Sequence, residues 1–88
     1  MKHYLKTLPQ YFQAVIDGRK FFELRYNDRK FNVGDTVILK EYNDCFGIYT
    51  NRTCQIIIED IFYLDDIGFR NYVIFTFCGV LYFEPNTD

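Results

Sequence analysis

Short runs of β-branched and aromatic residues, separated by turn signals, limit the possible folds of this chain more than any other feature. Such runs predict strands, and the intervening segments contain the Asn, Asp and Gly residues that favour turns. The predicted strands cover residues 20–25, 36–42, 54–63, 72–78 and 80–84. Cys78 and Gly79 are predicted to form the turn between the last two. In the run 72–78, Val73, Phe75 and Phe77 alternate toward one side.

One early segment predicts a helix. Its apolar positions have the i, i+4, i+7, i+8 spacing of an amphipathic face: Leu8, Phe12, Val15 and Ile16. Pro9 suits a first helical turn, and Gly18 stands where a left-handed cap would end the helix. One helix among many short strands predicts a mainly β (α+β) fold. We expect a small closed or nearly closed barrel, because an open sheet of this size leaves its edges unpaired.

The length predicts one domain, since domains usually contain ~100–150 residues and this chain has 88. We expect that domain to cover residues 1–84, with a frayed tail over residues 85–88. A hydrophobic content of 49% with little net charge excludes a disordered chain. No apolar run approaches the ~18 residues of a membrane span, and the chain begins with no signal peptide. We therefore expect a cytoplasmic protein with no membrane partner.

The cysteines and the histidine do not predict a metal site. Cys45, Cys54 and Cys78 are odd in number and form no CxxC pair, which favours reduced thiols over disulfides or zinc. His3 is the only histidine, and its position near the start of the chain predicts a surface or strand-end residue. The acidic residues between 59 and 66 lack calcium-loop spacing. We expect neither a metal nor a cofactor.

Charge is distributed unevenly along the chain. Residues 1–35 carry seven basic and four acidic side chains, a net charge of +3. Residues 36–88 carry three basic and eight acidic side chains, a net charge of −5, and the two parts give the total of −2. The total excludes a protein that coats nucleic acid through bulk positive potential. The basic first part still allows a small, local site for an anionic ligand.

The densest group of polar functional side chains follows the predicted helix, in residues 18–29. In a strand, Phe22 and Leu24 share one face while Glu23 and Arg25 share the other. We expect the apolar pair to face the core, so that Glu23 and Arg25 project together from the opposite side. A carboxylate two residues from a guanidinium can orient it toward a phosphate or a base edge.

Two further points qualify this interpretation. Lys20 falls on the Phe22 face by strict alternation, so it joins Glu23 and Arg25 only if the chain turns or bulges after Gly18. Spacing alone favours a simpler alternative, a solvated Glu–Arg pair on an exposed strand.

The run Gly18-x-Lys20-x-x-Glu23-x-Arg25 matches the GxKxxExR signature of the ASCH (activating signal cointegrator homology) domains, which belong to the PUA-like superfamily. The chain resembles a subfamily of small bacterial and phage ASCH-like proteins of unknown function. The resemblance covers residues 3–78 and is most specific in residues 3–42. It also includes these motifs: His3-x-Leu5-Lys6, Pro9-x-Tyr11-Phe12, Asn27-Asp28-Arg29-x-Phe31, Val33-Gly34-Asp35, Leu39-x-Glu41-Tyr42 and Tyr49-Thr50-x-Arg52.

This resemblance implies a PUA-like β-barrel with the N-terminal helix packed against one end. It also implies RNA or nucleotide binding in a cleft beside the signature strand, with Lys20, Glu23 and Arg25 as the cleft residues. The charge distribution adds Arg29 and Lys6 as candidates for contact with the ligand. We accordingly expect a binding module rather than an enzyme.

Two alternatives stay open. Some small ASCH proteins are amidohydrolases that deacylate N4-acylated cytidine, and they resemble this chain at Lys20. Their threonine nucleophile is replaced here by Glu23, so an enzyme would need Lys20 and Glu23 to activate water as an acid–base pair. The other alternative is a protein–protein adaptor with no ligand in the cleft.

The aromatic residues, eight Tyr and ten Phe, are predicted to fill the core for the most part. Four of them lie beside the signature strand or near turns: Phe21, Tyr26, Tyr42 and Tyr49. These four are the candidates for stacking on unpaired bases.

Overall fold

A computed structural model describes residues 1–85 of the chain. This part contains seven strands, one α-helix and one short 3₁₀ helix. In chain order they are β1 (Lys2–Thr7), α1 (Pro9–Ile16), β2 (Phe22–Tyr26), β3 (Thr36–Asn43), β4 (Ile48–Ile57), β5 (Asp60–Tyr63), the 3₁₀ helix (Asp65–Ile67), β6 (Tyr72–Thr76) and β7 (Tyr82–Glu84). The predicted mainly β class with one helix is confirmed. The predicted tail, residues 85–88, lies outside the described residues except for Pro85.

The strands form two sheets. The first has the order β1-β3-β4-β7, with β1 parallel to β3 and the other neighbours antiparallel. The second has the order β2-β6-β5 and is antiparallel throughout. These pairings establish two sheets, and they do not show the closed barrel that the strand pattern predicted.

The chain changes sheets at two places where the sequence pattern predicted continuity. The predicted strand 54–63 is divided between β4 and β5, because the Ile58 amide donates to Asp35 in one direction and the Glu59 amide to Thr76 in the other. The expected turn at Cys78 and Gly79 does not join a hairpin, since β6 and β7 belong to different sheets. A local pattern shows apolar alternation but not the sheet that each strand joins.

The helix agrees with the prediction. Pro9 occupies the first turn, and Phe12 and Val15 are fully buried. Gly18 has φ +73°, the left-handed conformation expected just after the helix. Amides of the next two residues then donate to Ala14, at 2.9 and 3.1 Å, so the chain turns sharply toward β2.

The core lies between the two sheets and α1. Its members are the buried apolar side chains Leu5, Phe12, Val15, Phe31, Val37, Leu39, Cys54, Ile56, Ile58, Val73, Phe75 and Phe77. The alternation predicted for Val73, Phe75 and Phe77 is confirmed, because all three side chains are buried.

His3 lies near the end of a strand, one of the two positions predicted for it, but it is buried rather than at the surface. Its Nε2 lies 2.8 Å from Oδ2 of Asp35, and its ring packs edge-on against Phe31 at 4.8 Å. The backbone amine of Met1 also donates to Asp35, at 3.2 Å. The hydrogen bond from His3 is the main cause that holds the pKa of the Asp35 carboxyl below its ordinary value. The burial of His3 was not predicted, because its partner carboxylate lies 32 positions away in the sequence.

No helix in residues 1–85 has the length and apolarity needed to cross a membrane. Over the same residues, no group of three His, Cys, Asp or Glu side chains is arranged to hold a metal ion.

Candidate functional site

A groove of about 460 Å³ lies where the end of β1, the first turn of α1 and the start of β2 meet. We call it the β1–β2 groove. Its walls consist of Lys6, Thr7, Leu8, Tyr11, Lys20, Phe22, Glu23, Leu24 and Arg25. It therefore contains four of the five side chains predicted to contact nucleic acid: Lys6, Lys20, Glu23 and Arg25.

Glu23 is the centre of the groove and is only 3% exposed. Its Oε1 accepts two hydrogen bonds from Arg25, from Nε at 3.1 Å and from Nη2 at 2.8 Å. Its Oε2 accepts a hydrogen bond from the Lys20 ammonium. A buried carboxylate is costly unless it is paired, and here two cations share it.

Glu23 lies on the inward face of β2, which is the opposite of the predicted orientation. Phe22 and Leu24 instead point outward, with 47% and 54% of their surfaces exposed. The prediction assigned the core face to the apolar pair, and it was wrong because the carboxylate finds enough partners to be buried. Glu23 and Arg25 still share one face, as predicted, and that face forms the floor of the groove.

Lys20 reaches the groove because of the turn after Gly18, the condition set by the sequence. Its ammonium also donates to the Phe22 carbonyl at 2.6 Å. It lies 4.9 Å from the centre of the Phe22 ring and 5.8 Å from the centre of the Tyr11 ring. The ammonium is thus held between a carboxylate and two exposed aromatic rings.

Arg25 ties the groove to β1. Its Nη2 donates to the Lys6 carbonyl at 2.9 Å and lies 3.4 Å from the Thr7 hydroxyl. The Lys6 side chain itself turns toward the other side of the sheet, with its ammonium 4.1 Å from the centre of the Tyr42 ring. Lys6 therefore borders the groove and the outward sheet surface at once.

Arg29 lies outside the groove. It is exposed, and it lies beside the neighbouring Asp28, with its Nε 4.0 Å from Oδ1 of that residue. Among the contacts of residues 1–85, none joins Arg29 to a cation of the groove. Its predicted role in ligand contact therefore rests on charge alone.

The predicted stacking residues also lie outside the groove walls. Phe21 is 45% exposed, and Tyr26 packs edge-on against Tyr72 at 5.3 Å. Tyr42 and Tyr49 pack against each other at 5.0 Å on the β3–β4 hairpin.

Sequence reasoning missed three of the aromatic and polar groove residues, among them Phe22, which was predicted to face the core. Tyr11, in α1, and Thr7, at the end of β1, both line the groove. Tyr11 was visible within the motif Pro9-x-Tyr11-Phe12, next to the buried face of the helix. Thr7 gave no signal, because β1 itself was not predicted as a strand.

A second buried carboxylate braces the helix that carries Tyr11. Glu41 is 5% exposed and accepts from Arg52 Nε at 2.8 Å and Nη2 at 2.9 Å, and from the Thr50 hydroxyl at 2.6 Å. Arg52 also donates to the Gln13 side chain of α1 at 3.1 Å. The hydrogen bonds from Arg52 are the main cause that lowers the pKa of the Glu41 carboxyl.

The two cations inside the groove have hydrogens that these contacts do not use. An ammonium has three hydrogens, and Lys20 directs two of them to Phe22 and Glu23. In the hydrogen bonds of residues 1–85, Arg25 uses Nε and Nη2, which leaves the Nη1 hydrogens for a ligand. Two cations, Lys20 and Arg25, against one carboxylate give the groove a net charge of +1, and Lys6 borders it. The arrangement can bind an anionic group beside an aromatic one.

Comparison with known proteins places the chain in a family. Residues 2–77 match the family described as Domain of unknown function (DUF3850). The chain belongs to that family. An uncharacterised 12.9 kDa protein in the GpA 3′ region of Escherichia phage P2 is 38% identical over 72 residues, which are 82% of this chain and 63% of that protein. The chain thus spans less than two thirds of the phage protein. All the walls of the β1–β2 groove fall inside the DUF3850 match.

Proposed function

We propose that this DUF3850 protein binds a nucleotide, free or within an RNA strand, in the β1–β2 groove. One observation carries the proposal: Lys20 and Arg25 converge with the exposed rings of Tyr11 and Phe22 on one groove, which Lys6 borders. Cations with unused hydrogens suit a phosphate, and exposed rings suit the face of a base. The volume of about 460 Å³ lies within the roughly 300–1,000 Å³ of small-molecule sites.

The GxKxxExR resemblance supports the same proposal. In ASCH domains the signature strand borders the cleft proposed to bind RNA, and here that strand is β2, the floor of the groove. We also propose that the two sheets are arranged relative to each other as in a PUA-like fold. In this proposal, Lys20 and Arg25 contact phosphate or a base edge, and Glu23 holds both cations in position.

Isothermal titration with nucleoside monophosphates tests the groove directly. We expect saturable binding at low salt that weakens as salt rises, with a slope set by only a few phosphate contacts. Lys20→Ala and Arg25→Ala should each weaken binding, whereas Arg70→Ala removes the same charge in the turn before β6 and should not. Absence of saturable binding by any nucleotide or RNA at low salt, or equal loss in all three variants, would contradict the proposal.

A second candidate function is deacylation of an N-acylated cytidine. The direct contact between the Lys20 ammonium and Glu23 favours it, because an acid–base pair needs that proximity. The hydrogen bonds from Arg25 argue against it, since they occupy Oε1 of the carboxylate while Lys20 occupies Oε2, so neither oxygen is free to activate water. Incubating the protein with N-acyl cytidines and following deacylation by absorbance tests this candidate. Turnover no greater than that of Lys20→Ala removes it.

The adaptor alternative has a surface of its own on the outer side of the second sheet. The exposed apolar side chains there are Phe22, Leu24, Tyr26, Phe62 and Tyr72. Contiguous apolar surface of this kind favours protein contacts. Partners captured at high salt by the wild type but lost in Leu24→Lys, with Lys20→Ala unaffected, would support an adaptor.

A further inference from the structure

The outward face of the first sheet carries lysines and tyrosines side by side. On β1 the burial alternation turns Lys2, Tyr4 and Lys6 outward, and on β3 it turns Lys40 outward. Tyr4 is 53% exposed. Tyr82 on β7 lies on the same face, because the row of paired residues that crosses the sheet from Tyr4 ends at Tyr82. The face is therefore open to solvent and bears both cations and rings.

Two of these lysines contact two tyrosines of the β3–β4 hairpin on the same face. The Lys6 ammonium lies 4.1 Å from the centre of the Tyr42 ring, and the Lys40 ammonium lies 4.7 Å from the centre of the Tyr49 ring. The two rings meet at 5.0 Å, and Lys6 pairs with Lys40 across the parallel strands. We call these four residues the Lys–Tyr cluster. Tyr49 is 44% exposed, so its ring is accessible to a ligand.

Of the two acidic residues in the described strands of this sheet, one points inward and the other lies at the far edge of this face. Glu41 of β3 points inward to Arg52. The outward charged residues of β1, β3 and β4 in the described chain are all lysines: Lys2, Lys6 and Lys40. Glu84, on the edge strand β7, accepts a hydrogen bond from the Tyr82 hydroxyl at 2.7 Å. The face thus has a net charge of +2 within a chain of −2.

The Lys–Tyr cluster is continuous with the groove through Lys6. The Lys6 carbonyl accepts from Arg25 inside the groove, and its ammonium covers Tyr42 on the outward face. We propose that the ligand is a single strand of nucleic acid, with one nucleotide in the β1–β2 groove and the next ones crossing the Lys–Tyr cluster. This inference rests on the proposed function, since the groove supplies the first contact.

The chemistry of the face fits a single strand. Lysines neutralise successive phosphates, and exposed tyrosines stack on successive bases. A duplex hides the faces of its bases, so it would use the lysines but not the rings. The charge of the cluster is complementary to phosphate, and its rings add a contact that a polyanion without bases cannot make.

Fluorescence anisotropy with a labelled oligouridylate of about ten nucleotides tests the inference, because that length exceeds one nucleotide in the groove and lies within the roughly 4–16 nucleotides that small single-strand-binding domains cover. Tyr49→Leu should weaken oligouridylate binding by about 5- to 100-fold, the effect of losing one stacked base, and Tyr49→Phe should retain it. Lys40→Gln should reduce the slope of affinity against salt by about 0.7, and Arg70→Gln should not. Neither Tyr49→Leu nor Lys40→Gln should change the binding of uridine monophosphate.

The outcomes separate the two proposals. The single-strand inference fails if uridine monophosphate binds the groove and the oligouridylate binds no tighter. It also fails if Tyr49→Leu and Lys40→Gln behave like Arg70→Gln. In both cases the proposed binding of a nucleotide in the groove is retained. If polyphosphate or a duplex competes as well as the oligouridylate, the face is only a cation surface and the inference also fails. If neither monophosphate nor oligouridylate binds, the proposed function fails. Thermal unfolding of each variant verifies that it is folded.

Discussion

Replacing Arg52 by methionine should destabilise the protein strongly and change how its stability depends on pH. Methionine retains an apolar side chain beside Phe12, over whose ring the guanidinium lies at 5.0 Å. It removes both hydrogen bonds from Arg52 to Glu41 and the hydrogen bond to Gln13. Glu41 is then left 5% exposed, with Thr50 as its remaining donor among the described contacts.

The expected loss is about 3 kcal/mol at neutral pH. Removing one partner of a buried ion pair costs ~3–5 kcal/mol, because the other charge stays buried and uncompensated. We take the lower end, since 28% of the Arg52 side chain is exposed and water can enter the space it leaves. Domains of this size have ~4–13 kcal/mol of stability, from ~0.05–0.15 per residue, so this loss is a large fraction of the total.

The pH dependence follows from the pKa of Glu41. In the wild type Arg52 lowers that pKa below the ordinary 4.5, so the pair stabilises the fold above that pH and the contribution is lost as pH falls through the native pKa. Without Arg52, burial dominates and should raise the pKa. The variant then favours the neutral carboxyl, so the stability difference from the wild type should shrink as pH falls from neutral to about 4.

Urea unfolding, followed by circular dichroism at both pH values, measures the two effects. With a slope of ~1 kcal/mol per M, the urea midpoint should fall by roughly 3 M at neutral pH. Arg70→Met is the matched control, because it removes the same group from an exposed turn. A loss below about 1 kcal/mol at neutral pH, or a difference that grows on acidification, would refute the assignment of Glu41 as a buried, paired carboxylate.

Three further predictions concern the groove and its surroundings. Glu23→Gln should tighten nucleoside monophosphate binding about 3- to 10-fold in isothermal titration, because the neutral amide keeps the shape of Glu23 but frees the charges of Lys20 and Arg25 for the phosphate; weaker binding would contradict this and would show that the charge of Glu23 is needed to position the two cations. Gly18→Ala should cost about 1–2 kcal/mol in thermal unfolding because of its φ of +73°, whereas Gly79→Ala, with no positive φ and open space, should be nearly neutral. In native protein, a thiol reagent should modify Cys45 and leave Cys54 unmodified until urea unfolds the chain, since burial raises the pKa of Cys54 to about 12; equal rates would contradict this.

The parts of the fold that the sequence predicted are those that depend on neighbours in the chain. Helix α1 combines a proline, an apolar face and a glycine within residues 8–18, and each acts over one or two turns. The alternation in β6 likewise needs only its own residues. Sheet membership needs contacts across the chain, such as Ile58 with Asp35, and no local pattern contains them.

The same distinction applies to the groove. Lys20, Glu23 and Arg25 lie within six positions, so a short motif was enough to bring them together as candidates. Their orientation depended on whether Glu23 could be buried, and this is decided by Arg25 reaching the Lys6 carbonyl 19 positions away. Apolar side chains were assumed to prefer the core, but a carboxylate with three charged hydrogen bonds took that face instead.

The inward position of the carboxylates also explains how an acidic chain can present basic surfaces. Glu23 and Glu41 lie on either side of the end of β1, where Thr7 pairs with Glu41 and lies 3.4 Å from Arg25. Each carboxylate binds an arginine from the inside, so its charge is neutralised within the fold. The lysines of β1 and β3 face outward, and among residues 1–85 they form no ion pair with a carboxylate. The potential at the groove and at the Lys–Tyr cluster is therefore set by which face each charge occupies, and the total of −2 does not predict it.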